Sequence, residues 1–599
     1  MSNAQLMKMK DTQAINSQFK PMKWAAQENF VDRWPFQKRQ TQLWIEGMKW
    51  YPRWQDQARY LNPTRGFFYY GIPDYGPPID HGTLIDSHVR RCIRDFACGM
   101  QSGMTSPARP WFELEVQDKD LMKYGPVKTY FEICNKRLLS IAGHSNIYDG
   151  FYNSYEELAT FGTAAWGIVE DENDVFRAES FTIGEYFLGC GPNGRVNAFT
   201  RSTWKTVSQI VEEYGEEMCS PTIISMYYNN QSDAWRRVIQ LIEINDDRIP
   251  DYDDFAHKHT RSITWEDGSQ QNLYLQLEGF NEFPLICPRW QPRTTHDNYG
   301  NGPGADFLGD VRMLQMMQKK KLIGLDKVVD PPLQASSTIG NVVTLPGAVT
   351  RFSADTPNAG VKTLYDVKID LNAIREDIME VKQAANQAFF TDLFKTMIND
   401  DRPGITAYEI AEKKAEIMNM LSPIVNSLNN TQNNMAVMRM YNIARRTGQL
   451  PPMPKELRGN ALQVKYISIL TQAQRMMGLQ AIQETLGFFS QNAQVFPQMI
   501  DNVNQDNIAR GYMEDIGLPA SYFMDLAAMK KNRDARAKAQ QQQQELQTKM
   551  AMAKTAADAG KGAEAASKAQ VGGENGSSAL DMLLGGMGGS GAAPSGGAQ

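Results

Sequence analysis

The glycines of YGNGPGADFLGD, residues 299–310, are the first whose type and spacing could do chemistry. A glycine-rich loop ahead of a helix can cradle phosphate groups on its backbone N–H donors. A Walker loop also needs Lys followed by Ser or Thr, to reach the phosphates and a magnesium ion, and neither stands here. Gly300, Gly302 and Ala305 satisfy a loose dinucleotide spacing, but Pro303 lies within it, and PRWQPRTTHDN ahead of it is no βαβ strand. A glycine-rich hinge into a helix is the expected role of Gly300, Gly302 and Gly304.

Other reactive residue types are scattered. His81, His88, His144, His257, His259 and His296 form no HExxH pair and no Cys/His ligand run, so they are read as solvated loop residues. HSN at 144–146 reads as a helix boundary. The cysteines Cys92, Cys98, Cys134, Cys190, Cys219 and Cys287 include no CxxC pair and are expected to be buried small hydrophobes. Acid pairs such as Asp246 with Asp247 and Asp400 with Asp401 sit in turn-like sequence. No catalytic constellation, metal site or cofactor is therefore expected. The remaining candidate is Lys319, Lys320 and Lys321, consecutive on a helical pattern. Three consecutive residues sweep about 200° around a helix, so at least one lysine must leave the solvent face.

The elements that hold these residues follow from patterning. Net charge is −6, against a protein built for tight, salt-sensitive gripping of DNA phosphates. No 18-residue apolar run exists and the start of the chain has no secretory leader pattern, so no membrane span is expected. The fold class expected is α+β, mainly helical. Aromatic-rich amphipathic helices open the chain, then a helix over IDSHVRRCIRDFACGM and a strand over 111–116. A helix ends near Gly162, and strands follow through WRRVIQLIEIN, SITWED and NLYLQLEGF. Phe307, Val311, Leu314, Leu325 and Val328 trace a helix that DPP at 330–332 stops. Leu371, Ile374, Ile378, Val381, Ala385 and Ala388 step by 3 and 4, a narrow stripe packed on other helices. Two helices thus bracket a small β-like insert. FFTDLFKTMINDDRPG is expected to be a loop. Thr406 and Glu409 form a capping box for a long helix that Pro423 should kink. LQVKYISIL is a strand, two or three helices follow, and 571–599 is a Gly/Ala/Ser tail without apolar surface to order it.

Five stretches, FACGMQSGMTSPARPWFEL (96–114), YEELATFGTAAWGIVED (155–171), YGNGPGADFLGDVRMLQ (299–315), KVVDPPL (327–333) and ITAYEIAEKKAEIMNMLSPI (405–424), resemble those of the podovirus-type phage portal, or head-to-tail connecting, proteins and fall in the same order, while the C-terminal helices are similar in kind only. The resemblance implies a ring oligomer, a dodecamer, at one capsid vertex, through which double-stranded DNA is packaged and ejected. It implies a wing over 1–300, paired stem helices over 301–330 and 371–390, and a β-containing clip over 331–370 bounded by Pro331 and Pro332. A channel loop over 391–404 would carry Lys395, Asp400, Asp401 and Arg402, and Lys319, Lys320 and Lys321 would face the DNA channel. A long kinked wing helix and return strand would cover 405–470, a crown 471–535, and a barrel-like helix 536–570. Leu371, Ile374, Ile378 and Val381 would be stem assembly residues, and Gly300, Gly302 and Gly304 the wing-to-stem hinge. Implied partners are the major capsid protein, scaffold, the terminase large subunit and tail adaptor or nozzle proteins, with no membrane. The implied location is the virion, after assembly in the host cytoplasm. A tail adaptor would be shorter and lack the paired helices, and a nuclease or motor would need clustered acids or a Walker loop.

Overall fold

The computed structural model describes residues 33–68, 84–118, 121–245, 258–269, 273–334, 362–364, 370–398, 421–457, 459–467 and 526–568. Two units are compact, Met1–Val503 and Asn504–Gln599. In the first, α1 (Trp34–Met48) and α2 (Tyr51–Tyr60) each carry proline in the opening turn, where its missing N–H costs nothing. α3 (His88–Met104) buries Val89, Cys92, Ile93, Phe96, Ala97 and Met100, the stripe its sequence pattern requires. β1 (Phe112–Val116), α4 (Gly125–His144) and α5 (Ile147–Phe161) follow. α5 ends as expected at Gly162, a left-handed cap with φ +78°.

Antiparallel sheets come next. β2 (Ala165–Asp171) lies between β3 (Val175–Phe181) and the two-residue β9 (Leu285–Ile286). A five-stranded meander runs β4 (Tyr186–Cys190), β5 (Val196–Thr206), β6 (Trp235–Ile244), β7 (Thr260–Glu266) and β8 (Gln276–Phe280). Helices α6 (Val207–Tyr214) and α7 (Pro221–Tyr228) branch from it between β5 and β6. Thr206 and Gln209 cap α6 reciprocally, and Ser220 caps α7.

The chain then turns helical: α8 (Pro303–Asp306) and α9 (Leu308–Val329), a two-residue ladder of β10 (Leu333–Gln334) with β11 (Lys362–Thr363), then α10 (Leu371–Ala388) and α11 (Thr391–Ile398). Residues 421–428 are helical, Asn429–Asn433 form a π-helical turn, and α12 (Asn434–Arg446) continues. β12 (Leu462–Tyr466) pairs antiparallel with β1 along its whole length. The second unit contributes α13 (Leu526–Lys568), 43 residues or about 65 Å long, with Leu546, Met550 and Met552 exposed.

One large core joins α3, α4, α5, the start of α9, α10, α11 and α12, and a second joins the meander to α1 and α2 around Trp54, Trp265, Tyr186 and Tyr299. Arg33 fastens the start of α1 to the meander, donating to Ser269 and the Leu273 carbonyl with its guanidinium 6.0 Å from the Trp265 ring.

The arrangement is mixed helix and strand, and several expectations need correction. Thr391–Ile398 is a helix rather than a loop, because Leu393 and Phe394 are buried and the Phe394 ring stands edge-on to Phe96. Pro423 lies within helical residues, and the described departure from α geometry is the π turn six residues later. Cys98 is exposed and Cys190 half-buried, whereas Cys92, Cys134, Cys219 and Cys287 are buried as expected. His88 opens α3 with Nε2 3.1 Å from Asn386 Oδ1, so it is no loop residue. Thr406, Glu409, residues 335–361 of the expected clip, 471–525 of the crown and 571–599 lie outside the described residues. No described helix is long and apolar enough to cross a membrane.

Glu157, on α5, is buried and accepts from Thr182 Oγ1 at 2.7 Å and the Ile183 amide at 3.3 Å. Burial pushes its carboxyl up to about 7, against the pull of Arg65 and these two bonds. The protonated carboxyl therefore favours the fold. Its contribution is complete below its ordinary value of 4.5 and is lost as pH rises through about 7. Unfolding free energy is expected to fall across that window by a total on the order of 3 kcal/mol, and Glu157→Gln to abolish that fall. Denaturant titration at pH 5 and pH 8 measures this, and equal slopes in both proteins would count against it.

Candidate channel and assembly site

Tyr299 to Asp310 delivers the chain into α9, and its glycines are not required by a left-handed backbone. None of Gly300, Gly302 or Gly304 has positive φ, and Gly302 is extended at φ −96°, ψ 171°. They are needed for space. A Cβ on Gly300 would stand 2.5 Å from the Gly162 carbonyl oxygen, one on Gly302 2.4 Å from that of Leu158, and one on Gly304 2.6 Å from that of Thr160. The loop is thus seated backbone to backbone on the end of α5, with the Gly300 amide donating to Thr163 Oγ1 and the Trp290 amide to the Gly162 carbonyl. Gly302 opens α8 against the backbone of α5, and the nearest group to a side chain there is the Leu158 carbonyl oxygen, which would repel a phosphate.

α9 and α10 pack on each other beyond this seat, with the Phe307 and Phe389 rings edge to face at 6.2 Å. Burial on α9 is concentrated near its start: Phe307, Val311 and Leu314 are in the core, whereas Met313, Met316, Leu322, Ile323, Val328 and Val329 are exposed and Gly324 is the buried residue of the second half. On α10, Ile378, Val381 and Ala385 are buried and Ile374 packs partly against the same core. That burial comes from this chain's own helices, so the stripe containing Ile378 and Val381 first serves folding. The stepped spacing marks a buried face correctly, and the exposed apolar residue between them is Met379. Leu371 begins α10, and Asp370 caps it by accepting from the amides of Asn372 and Ala373.

A buried polar node locks the pair to α3. Gln315, 4% exposed, accepts from the Ile85 and Asp86 amides and donates to the Asp86 carbonyl. The Asp86 carboxylate accepts from Gln318 Nε2, the His88 amide and Lys382 Nζ, each at 2.7–2.8 Å. Burial alone would raise the Asp86 carboxyl, but the bonds from Lys382, His88 and Gln318 outweigh it and hold it below the usual 3.8. Its contribution to stability is complete above that value and is lost as pH falls through the depressed one. Sequence reasoning missed this node. Its visible signal is Gln315, a polar residue four positions after Val311 on a core-facing stripe, where only a satisfied hydrogen-bond network tolerates it.

Lys319 and Lys320 are exposed on α9 and Lys321 is half-buried, and none of the three is ion-paired among the described residues. Lys395, on α11, lies 3.8 Å from Asp95 of α3. Asp400, Asp401 and Arg402 lie outside the described residues. Pro331 and Pro332 lead into the β10–β11 ladder, which the Leu364 amide extends by donating to the Pro332 carbonyl at 2.8 Å. The insert between the paired helices therefore opens and closes at adjacent points. Among the described residues no cluster of three His, Cys, Asp or Glu could hold a metal ion.

Residues 35–524 match the model of the family described as bacteriophage head to tail connecting protein. The chain is 32% identical over 500 residues to a probable portal protein of Bordetella phage BPP-1, an alignment covering 83% of this chain and 90% of that protein. It is 33% identical over 503 residues to the portal protein of Salmonella phage epsilon15, covering 84% of this chain and 90% of that one.

Proposed function

We propose that this chain, which belongs to the bacteriophage head to tail connecting protein family and has a phage portal function, works as a closed ring of identical subunits, twelve in number, at one vertex of the virion. Double-stranded DNA passes through the ring during packaging and ejection without sequence readout. The capsid protein and scaffold meet its outer part, and the terminase large subunit, then the tail adaptor or nozzle proteins, dock on the insert between α9 and α10. Assembly takes place in the host cytoplasm, and the motor's energy comes from the terminase.

The observation that carries this reading is the helix–ladder–helix unit with half of α9 left apolar and uncovered. Met313, Met316, Leu322, Ile323, Val328 and Val329, with Met379 of α10, are seven large apolar side chains left exposed on one helix pair. A neighbouring copy of the same pair covers such a surface in a ring. Electron microscopy of the purified protein is expected to show closed rings with a central hole, and a purely monomeric protein would overturn the reading.

In this ring Lys319, Lys320 and Lys321 line the channel and hold DNA weakly. Each phosphate a lysine neutralises adds salt-dependent affinity, so a few cations in an acidic subunit retain DNA without stalling it. Replacing all three by Gln keeps helix propensity similar. Rings are expected to form normally, while DNA retained per assembled head falls by roughly half or more and its salt dependence flattens. Unchanged retention in fully assembled particles would remove the lysines from the channel.

A further inference from the structure

Three cations gather round one indole where α1 meets α2. Trp50 is half-buried, with Arg53 Cζ 5.8 Å and Arg293 Cζ 5.7 Å from its ring centroid. Trp54 stacks against it at 6.3 Å and Tyr299 leans on it at 5.7 Å. Lys49 and Asn301 complete the walls of a cavity of about 390 Å³. Positive charge is in excess there. Arg293 lies 3.7 Å from Asp297, but neither Lys49 nor Arg53 pairs with any described acid. The nearby acid Glu46 is turned to Asn298, whose Nδ2 donates to it at 3.2 Å. Asn301 Oδ1 is buried with no hydrogen-bond partner, which is costly unless a donor arrives.

These features select a ligand class. The guanidiniums call for an anion, and a carboxylate suits their planar fork. Asn301 Oδ1, which has no exposed surface in the free chain, calls for an N–H or O–H donor that it meets once its side chain turns outward. A phosphodiester backbone has no such donor to give, and a stacking base would need a free indole face where Arg53, Arg293 and Trp54 already crowd the ring. A peptide supplies one N–H per residue beside its carboxylates. We propose that this cavity receives an acidic peptide segment of a protein that meets the subunit, its carboxylates held by Lys49, Arg53 and Arg293 and a main-chain N–H donated to Asn301 Oδ1. The cavity belongs to one chain and none of its residues lies on α9 or α10, so the inference stands apart from the channel reading.

The test uses full-length protein and a fluorescein-labelled, capped Gly-Glu-Asp-Glu-Gly peptide, followed by anisotropy, with the Gln/Asn counterpart as control. The acidic peptide is expected to bind about tenfold or more tightly than its amide counterpart. Arg53→Gln combined with Arg293→Gln should weaken it by about tenfold in a protein still folded by circular dichroism, and Lys49→Glu, at an exposed position, should do the same by repulsion. Arg59→Gln, exposed and outside the cavity, should have no effect. Equal affinity in the wild type, the double variant and Lys49→Glu would overturn the proposal. So would an oligothymidylate that binds more tightly than the peptide and is lost in the same variants, since the cavity would then serve single-stranded nucleic acid.

Discussion

Ile378→Asp is expected to unfold the subunit, and Met379→Asp to leave it folded but unable to close a ring. Ile378 is 4% exposed inside the core shared by α3, α9 and α10. Replacing it removes a buried aliphatic side chain, at about 2–5 kcal/mol, and places a carboxylate in the core beside Lys382, one turn on, which is already engaged by Asp86. The sum approaches the whole stability of an ordinary domain, about 5–15 kcal/mol. Met379, the next residue round the helix, is 60% exposed, so aspartate there meets water in the single subunit. In a ring the same carboxylate would be desolvated against a neighbour, and assembly would fail. Circular dichroism melting with size-exclusion chromatography separates the two. Normal rings from Met379→Asp would take that face out of the assembly, and a stable monomer from Ile378→Asp would contradict its burial within the chain.

Gly302→Ala is expected to cost about 3 kcal/mol or more, a large effect for one methyl group. The added Cβ would stand 2.4 Å from the Leu158 carbonyl oxygen and 2.8 Å from the backbone of Gly162. No side chain can rotate aside to admit it, since both neighbours are backbone, and the α5 cap would have to move. Gly309→Ala is the control: its Cβ would meet nothing within 4 Å and it lies in α9, where alanine is the better helix former by up to about 1 kcal/mol. Urea midpoints measure both. A Gly302→Ala protein as stable as the wild type would show that the seat is loose.

These two sites show where sequence reading reaches its limit. The stripe Leu371, Ile374, Ile378, Val381 was legible because a 3.6-residue period marks a buried face, but period carries no information about whose side chains do the burying. The glycines of 300–304 were legible as special positions. Their reason was not, because positive φ and close backbone approach both select glycine and only coordinates distinguish them. Gly162 was read correctly, since a glycine closing an amphipathic run has one dominant explanation. The Asp86 node was illegible, since its partners Gln315, Gln318 and Lys382 come from distant segments. Thr391–Ile398 misled because its acids and surroundings resemble a turn, whereas Leu393 is buried in the core and Phe394 finds a hydrophobic seat against Gly99 and Phe96 of α3. The Trp50 cavity was hidden for a similar reason: Lys49 and Arg53 are near neighbours in sequence, but Arg293 and Asn301 arrive some 240 residues later.

The β1–β12 ladder imposes an order of events on biosynthesis. β1 leaves the ribosome roughly 350 residues before the strand that completes it, an interval of roughly 20–70 seconds at ~5–20 residues per second. Throughout that time Phe112, Leu114 and Val116 belong to a nascent strand whose pairing edge has no mate, the kind of edge that recruits strands from other chains. Because nascent subunits can crowd on one message, the half-made chain is at greater risk of cross-pairing than the finished one. α4, made next, offers cover in the interim, for Asn135 Oδ1 accepts from the Leu114 amide. Translation pauses between the emergence of β1 and the emergence of β12 from the ribosome would lengthen the vulnerable period, and pauses after β12 has emerged would not.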